Sequence, residues 1–284
     1  MKKLLLFVLS LGLVLLGFTG CKKHGDDTNK KSCVVNKAIY NDKNSAGDFY
    51  QYATYEYDNQ KRLIKIRSYW NDVPEGYSTI TYGGSEIIEK SFDSNGSEFP
   101  WYPPSVYTVS NGIVTRSVQT YIEQMAPGFF KTQVTTTAYE HNSEGYLTKK
   151  TMVIEATSND TIYFVPTTVT IVITYAYEDG NLLNKVEDFP SGNRLTTTYE
   201  YFKDIPNTLH ILDNADFILP DIPVILATKP NKNALKKATQ TSGSGFTTFR
   251  SFTYLLDADG LITKRTTFDS QISGHSEIFE YTCN

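Results

Sequence analysis

The residues able to do chemistry in this sequence are its carboxylates, histidines and cysteines, together with one cluster of aromatic side chains. The four histidines, His24, His141, His210 and His275, are scattered, and none stands at metal-ligand spacing with another His, Asp or Cys. His141 occupies an aromatic slot of a repeated phrase and reads as a packed sheet residue. Asp257-Ala258-Asp259-Gly260 presents alternate oxygens to a calcium ion, yet the distal glutamate of an EF-type loop is missing. A hairpin turn explains those residues better. Asp213, Asp216 and Asp221 show no recognised acid–base arrangement, and structural capping accounts for them. Glycoside hydrolysis needs two carboxyls set across a cleft, and sequence alone places no such pair. Nucleophile elbows, phosphate-binding glycine loops and cysteine-nucleophile motifs do not occur. The expectation is a chain that is not an enzyme, with no metal and no cofactor.

Binding is the better prospect. Phe99-Pro100-Trp101-Tyr102-Pro103-Pro104 puts aromatic rings on a proline-stiffened loop between predicted strands. Such rings offer a large contact area to a sugar or a partner protein. Trp70, beside Tyr69 on an earlier hairpin, is a weaker companion. The competing reading has Trp101 folding back to plug one end of the sheet. Cys33 and Cys283 lie near opposite ends of the chain. If the first and last strands are antiparallel neighbours, a Cys33–Cys283 disulfide closes the chain on itself; otherwise both are free, half-buried thiols.

The elements that must position these residues are written in a repeated phrase. Tyr55 to Ile66 reads YEYDNQKRLIKI: an aromatic–x–aromatic run, a polar turn, then a short apolar–basic run. Versions recur at Ile80–Lys90, Tyr107–Arg116, Tyr139–Lys149, Tyr175–Lys185 and Phe252–Lys264, and Ile278 to Cys283 opens the phrase once more. Turns such as Gly83-Gly84, Asn111-Gly112 and Asp179-Gly180 are strong hairpin signals, because glycine supplies the positive φ of tight turns. From Thr167 to Tyr177 the odd positions carry Val169, Ile171, Ile173, Tyr175 and Tyr177, and the even positions are mostly threonine. One face is apolar and the other hydroxylated. The sum is an all-β antiparallel meander of about 12–16 strands, strongly curved or barrel-like, since open sheets of that size curl or split.

One stretch breaks the rhythm. Residues 204–238 hold Pro206, Pro220, Pro223 and Pro230, which central strands tolerate poorly, together with an apolar run from Phe217 to Leu219. An irregular or short-helical insertion packed on the sheet is expected, with a helical turn over Asn231–Lys237.

The N-terminus is written for export. Lys2 and Lys3 precede an apolar run, Leu4 to Leu16, too short for a helix across a bilayer core of roughly 30 Å. Phe18-Thr19-Gly20-Cys21 resembles a bacterial lipobox, with Phe18 in place of the usual leucine. Residues 1–20 are then a signal peptide, Cys21 the lipidated residue, 21–32 a charged flexible tether and 33–284 a single β domain. Asp26-Asp27 is similar to signals that send lipoproteins of Bacteroidota-type bacteria to the cell surface. The whole chain carries a formal charge of −4, and loss of Lys2 and Lys3 makes it more acidic, which argues against nucleic acid.

The lipobox, the Y-x-Y…G-x-L-x-K phrases, the Gly180-Asn181-Leu182 turn and the Asn231–Lys237 element resemble a family of Bacteroidota lipoproteins that has a porin-like fold and no assigned activity. The phrase is also distantly similar to the YD repeats of Rhs-type shell proteins. The resemblance implies a curved β-meander over most of the chain from about Tyr50. The expected protein is a non-catalytic lipoprotein of the outer membrane, joined to the membrane by its lipid and binding a glycan, a peptide or an envelope protein. An integral porin is disfavoured, because Lys and Arg follow each turn and interrupt any lipid-facing band. The alternatives are a glycan-processing enzyme and a structural assembly protein that joins partners through its sheet edges or aromatic loop.

Overall fold

The computed structural model describes residues 33–44, 47–159, 164–212, 226, 228–270 and 274–283. The leader, Cys21, the tether, His24 and the acidic group Asp213, Asp216 and Asp221 lie outside them. Among the described residues the chain forms sixteen strands. They are β1 (Cys33–Asn44), β2 (Gly47–Tyr57), β3 (Leu63–Trp70), β4 (Val73–Tyr82), β5 (Glu86–Asp93), β6 (Ser105–Ser110), β7 (Ile113–Ala126) and β8 (Phe129–His141). Then follow β9 (Leu147–Ser158), β10 (Thr167–Glu178), β11 (Asn181–Asp188), β12 (Arg194–Pro206), β13 (Asn233–Ser242), β14 (Thr247–Leu256), β15 (Ile262–Asp269) and β16 (His275–Cys283). Each pairs with its sequence neighbours, and β16 returns to β1, so the meander closes into a barrel. Closure removes the free edges that an open sheet of this size would expose.

The phrase turns all fall at one end of the barrel, here the phrase end; the remaining hairpins form the far end. One local device builds several of them. The Asp58 carboxylate accepts from the N–H groups of Gln60 and Arg62, both at 2.9 Å, and Lys61 between them has φ 61°. The side chain of Asn142 repeats the pattern around Gly145, and that of Asp257 around Gly260. Asp93, at the far end, does the same around Gly96. Asp257-Ala258-Asp259-Gly260 is thus a turn whose first carboxylate caps backbone N–H groups.

Alternation sends one face of each strand inward. Across the sheet Tyr55 faces Ile66, Ile87 faces Tyr107, Tyr107 faces Ser117, and Ser117 faces Thr137. These residues, with Tyr139, Leu147, Ile262 and Phe279, form a continuous buried core in the phrase-end half. The tyrosines bring a hydroxyl with their apolar ring, and a buried hydroxyl must be paired. Tyr57 donates to the carbonyl of Val35 at 2.7 Å, Tyr82 to Leu63 at 2.9 Å, Tyr254 to Leu235 at 2.6 Å and Tyr281 to Ile262 at 2.8 Å. Each bond ties a strand's closing aromatic to the preceding strand. Leu63, Leu235 and Ile262 are apolar residues within the first three positions of their strands. The phrase is therefore a pairing code for the barrel wall.

A buried ion pair crosses the same core. Arg265 on β15 faces Glu277 on β16 and binds it through two hydrogen bonds of 2.5 and 2.6 Å. Its remaining guanidinium nitrogen donates to the carbonyl of Leu212 at 3.3 Å. Leu212 ends a short 3₁₀ turn, His210–Leu212, and is itself fully buried, so this pair draws the start of the insertion into the barrel.

The insertion is shorter than the sequence suggests. Asp204 to Pro206 complete β12, and the helical turn expected over Asn231–Lys237 is instead the entry to β13. Ala234 packs in the core while Lys236 and Lys237 stay on the wall, so burial overrides the helix-forming residue types. Asparagines hold this junction. Asn231 accepts from the N–H of Leu182 at 2.7 Å, Asn207 donates to the Asn231 carbonyl at 3.1 Å, and Asn233 donates its N–H to Asn181 at 2.9 Å.

On the outer face, the basic residue after a phrase turn meets the glutamate of the preceding strand. Lys149–Glu140 spans 2.9 Å and Lys65–Glu56 3.9 Å; Lys37–Glu280, at 3.4 Å, makes a like pair between β1 and β16. Higher on the same face Tyr52 stacks on Tyr69 at 4.3 Å and Tyr77 on Phe92 at 4.8 Å.

Candidate binding site at the far end

The aromatic loop exists because the strands around it differ in length. β5 has 8 residues and β6 has 6, whereas β7 has 14 and β8 has 13. The upper part of β7 thus rises beyond its neighbour β6, and residues 94–104 fill the gap. The carbonyl of Trp101 accepts from the N–H of Ile122 on β7 at 2.9 Å, and the N–H of Phe99 donates to Ser91 at 3.1 Å. Gly76 makes room for this. A Cβ there would sit 2.5 Å from the Phe92 carbonyl oxygen and 3.4 Å from the Phe99 ring. A glycine inside a strand commonly marks such an approach.

The two central rings part company. Trp101 lies against Phe130 at 6.1 Å, and Tyr102 against Phe99 at 6.2 Å and Tyr121 at 5.2 Å. Tyr121 shares a face with the buried Ser117, four residues back on the same strand, so it belongs to the inner wall. Phe130 has the opposite parity to the buried Thr137 and belongs to the outer face. The loop therefore straddles the barrel wall, with Trp101 outside and Tyr102 inside. Trp101 is 37% exposed and Tyr102 52%. Phe99 folds inward as wall, while Trp101 and Tyr102 stay accessible on different faces. Trp70, 43% exposed, ends β3 opposite Gln51 on the inner-face register.

Further exposed apolar side chains crowd the far end. Val73, Met125, Phe129, Val165 and Phe246 all sit in or beside its hairpins. Sequence reading missed Tyr121, Phe130 and these hairpin tips, each of which looks like an ordinary strand or turn residue.

Elsewhere, candidate chemistry resolves into structure. His275 packs on Tyr40 at 4.9 Å, and no group of His, Cys, Asp and Glu among the described residues could hold a metal ion. Burial pushes the phenol of Tyr82 up to about 12, with Arg62 opposing and Asp58 adding. Burial likewise raises Tyr281 to about 12, against the hydrogen bond with Thr208. Both belong to the pairing code. Cys33 opens β1, Cys283 closes β16, and both are disulfide-bonded.

No protein-family model matches the chain, and no curated protein sequence does. Solved structures do. A porin-like protein from Bacteroides vulgatus aligns with a TM-score of 0.60 at 12% identity, over 88% of this chain and 99% of its own. A porin-like protein from Bacteroides uniformis aligns with a TM-score of 0.56 at 19% identity, over 88% of this chain and 98% of its own. At such identities the likeness is one of fold: this chain is an all-β closed barrel of the porin-like kind.

Proposed function

We propose that this protein is a non-catalytic envelope lipoprotein, tethered through Cys21 to the outer membrane, whose barrel stands outside the bilayer and binds through its far end. The asymmetry of the barrel carries the reading. The phrase end is filled by a buried tyrosine–leucine core, and the far end presents accessible rings at Trp70, Trp101 and Tyr102. Cys33 begins β1 at the phrase end.

The outer face supports a position outside the membrane. Lys37, Lys65, Arg67, Lys90, Arg116, Lys149 and Glu155 all take outward registers on the wall. A lipid-facing Lys or Arg near the bilayer midplane costs about 2–4 kcal/mol, and here such residues recur along the wall from β1 to β9. The assembly alternative loses its strand-addition route, since a closed barrel offers no edge.

Fractionation tests the reading. Cys21→Ser is expected to move the protein from the membrane to the soluble envelope fraction, whereas an integral barrel would stay in the membrane. A photo-cross-linking residue at Met125 or Phe246 is expected to capture an envelope component that the same probe at Leu183, on the phrase end, does not. Equal capture at both ends would overturn the assignment of the far end.

A further inference from the structure

We infer that the inner wall around Tyr121 is a subsite for a neutral oligosaccharide; the inference rests on the binding role proposed for the far end. On this wall Tyr121 of β7 faces Gln133 of β8, Gln119 faces Thr135, and Glu123 faces Lys131, all on the inward register. Tyr102 reaches down from the loop and sets its ring 5.2 Å from that of Tyr121, at 35°. Two tilted phenol rings, both open to solvent, offer the kind of surface on which the C–H face of a pyranose stacks.

The groups around the rings select among ligands. Gln119 and Gln133 make no side-chain hydrogen bond among the described residues, so each keeps a free amide donor and acceptor beside the rings. Sugar hydroxyls, donors and acceptors at once, match them. The only fixed charges facing the rings on β7 and β8 oppose each other: Lys131 and Glu123 pair at 3.7 Å. An anionic ligand meets Glu123 as soon as it meets Lys131, and a purely apolar ligand would bury the two amides without partners, at a cost. A neutral, hydroxyl-rich ligand satisfies all of these groups. Its flanking wall is mild as well, with Thr135 beside Gln133 on β8 and Ala156 facing Gln133 from β9.

The test is titration calorimetry of the mature protein against maltohexaose, cellohexaose, laminarihexaose and mannohexaose, with an oligogalacturonate and a mixed hexapeptide library as competitors of other classes. At least one neutral hexasaccharide is expected to bind, and Tyr121→Ala to weaken it tenfold or more. Gln133→Met keeps the side chain's length and the fold, and is expected to weaken it by a comparable factor. Tyr69→Ala, on the outer face, is expected to leave it unchanged. Binding of the peptides or the oligogalacturonate alone would overturn the inference, as would neutral-sugar binding indifferent to both Tyr121→Ala and Gln133→Met. If no neutral sugar binds while probes at Met125 and Phe246 still capture an envelope component, the sugar subsite falls and the binding role stands.

Discussion

The hydroxyl of Tyr82 donates to the backbone carbonyl of Leu63 across the β3–β4 pair, and Tyr254 and Tyr281 make the same bond to Leu235 and Ile262, each partner 19 residues earlier in the chain. A recurring separation of that kind means that the repeated phrase encodes a recurring contact. Removing the hydroxyl leaves the ring's packing intact and deprives one carbonyl of a partner, and at Tyr281 the Thr208 hydroxyl as well. Tyr82→Phe and Tyr281→Phe are each expected to cost about 1 kcal/mol, and the double variant about the sum, since the sites share no partner. Denaturant titration of the Cys21→Ser chain would measure both.

The same tyrosines set an alkaline limit. Burial raises Tyr82 and Tyr281 from the usual 10.0 to about 12, and pushes Tyr57 higher still. The folded pKa lies above the unfolded one, so the stabilisation is fully present below pH 10 and is lost as pH rises from about 10 towards 12. Thermal stability is expected to be flat with pH up to about 10 in this respect and then to fall steeply, with phenolate absorbance appearing together with unfolding. Early, non-cooperative ionisation of all tyrosines would contradict this.

Arg265 and Glu277 are both almost wholly buried, and each satisfies the other. Glu277→Gln leaves a guanidinium in the core without its counter-charge. The expected loss is about 3–5 kcal/mol. Replacing both, Arg265→Met with Glu277→Leu, is expected to cost much less, because no buried charge remains. A double-mutant cycle on unfolding free energy would show that coupling.

Lys61 occupies the turn position that Gly145 and Gly260 hold in sister hairpins, at φ 61°. A side chain in that region is strained by roughly 1 kcal/mol. Lys61→Gly is expected to raise stability by a few tenths of a kcal/mol after glycine's extra entropy cost, and Gly260→Ala to lower it by about 1 kcal/mol. Paired thermal melts would decide the sign of each.

Cys33 and Cys283 are proposed partners of one disulfide. Unreduced protein lacking Cys21 is expected to show no free thiol, and a peptide map to link the segments holding the two residues. Cutting the bond is expected to cost up to about 5 kcal/mol on the chain-entropy account of a very long loop.

The strands were legible because their signals are local. Alternation over Val169, Ile171, Ile173, Tyr175 and Tyr177, and turn formers such as Asp179-Gly180, depend on neighbours two to four residues away. The outward lysines were legible for the same reason: period-2 parity assigns a side once one core residue is known. The entry to β13 was not, since Asn231–Lys237 carries helix-compatible residue types and only the core waiting for Ala234 selects a strand. Closure was not legible either, because whether β16 reaches β1 depends on twist and stagger summed over every strand between them. That sum also decided the aromatic loop. Nothing within Phe99–Pro104 states that β7 outgrows β6, yet this mismatch places Trp101 on the outer face and Tyr102 on the inner wall beside Tyr121. By itself the sequence determined the strands, their turns and the faces of their side chains, which follow from neighbours along the chain; the tertiary structure alone decided which faces meet, because that depends on the registers of strands far apart in sequence.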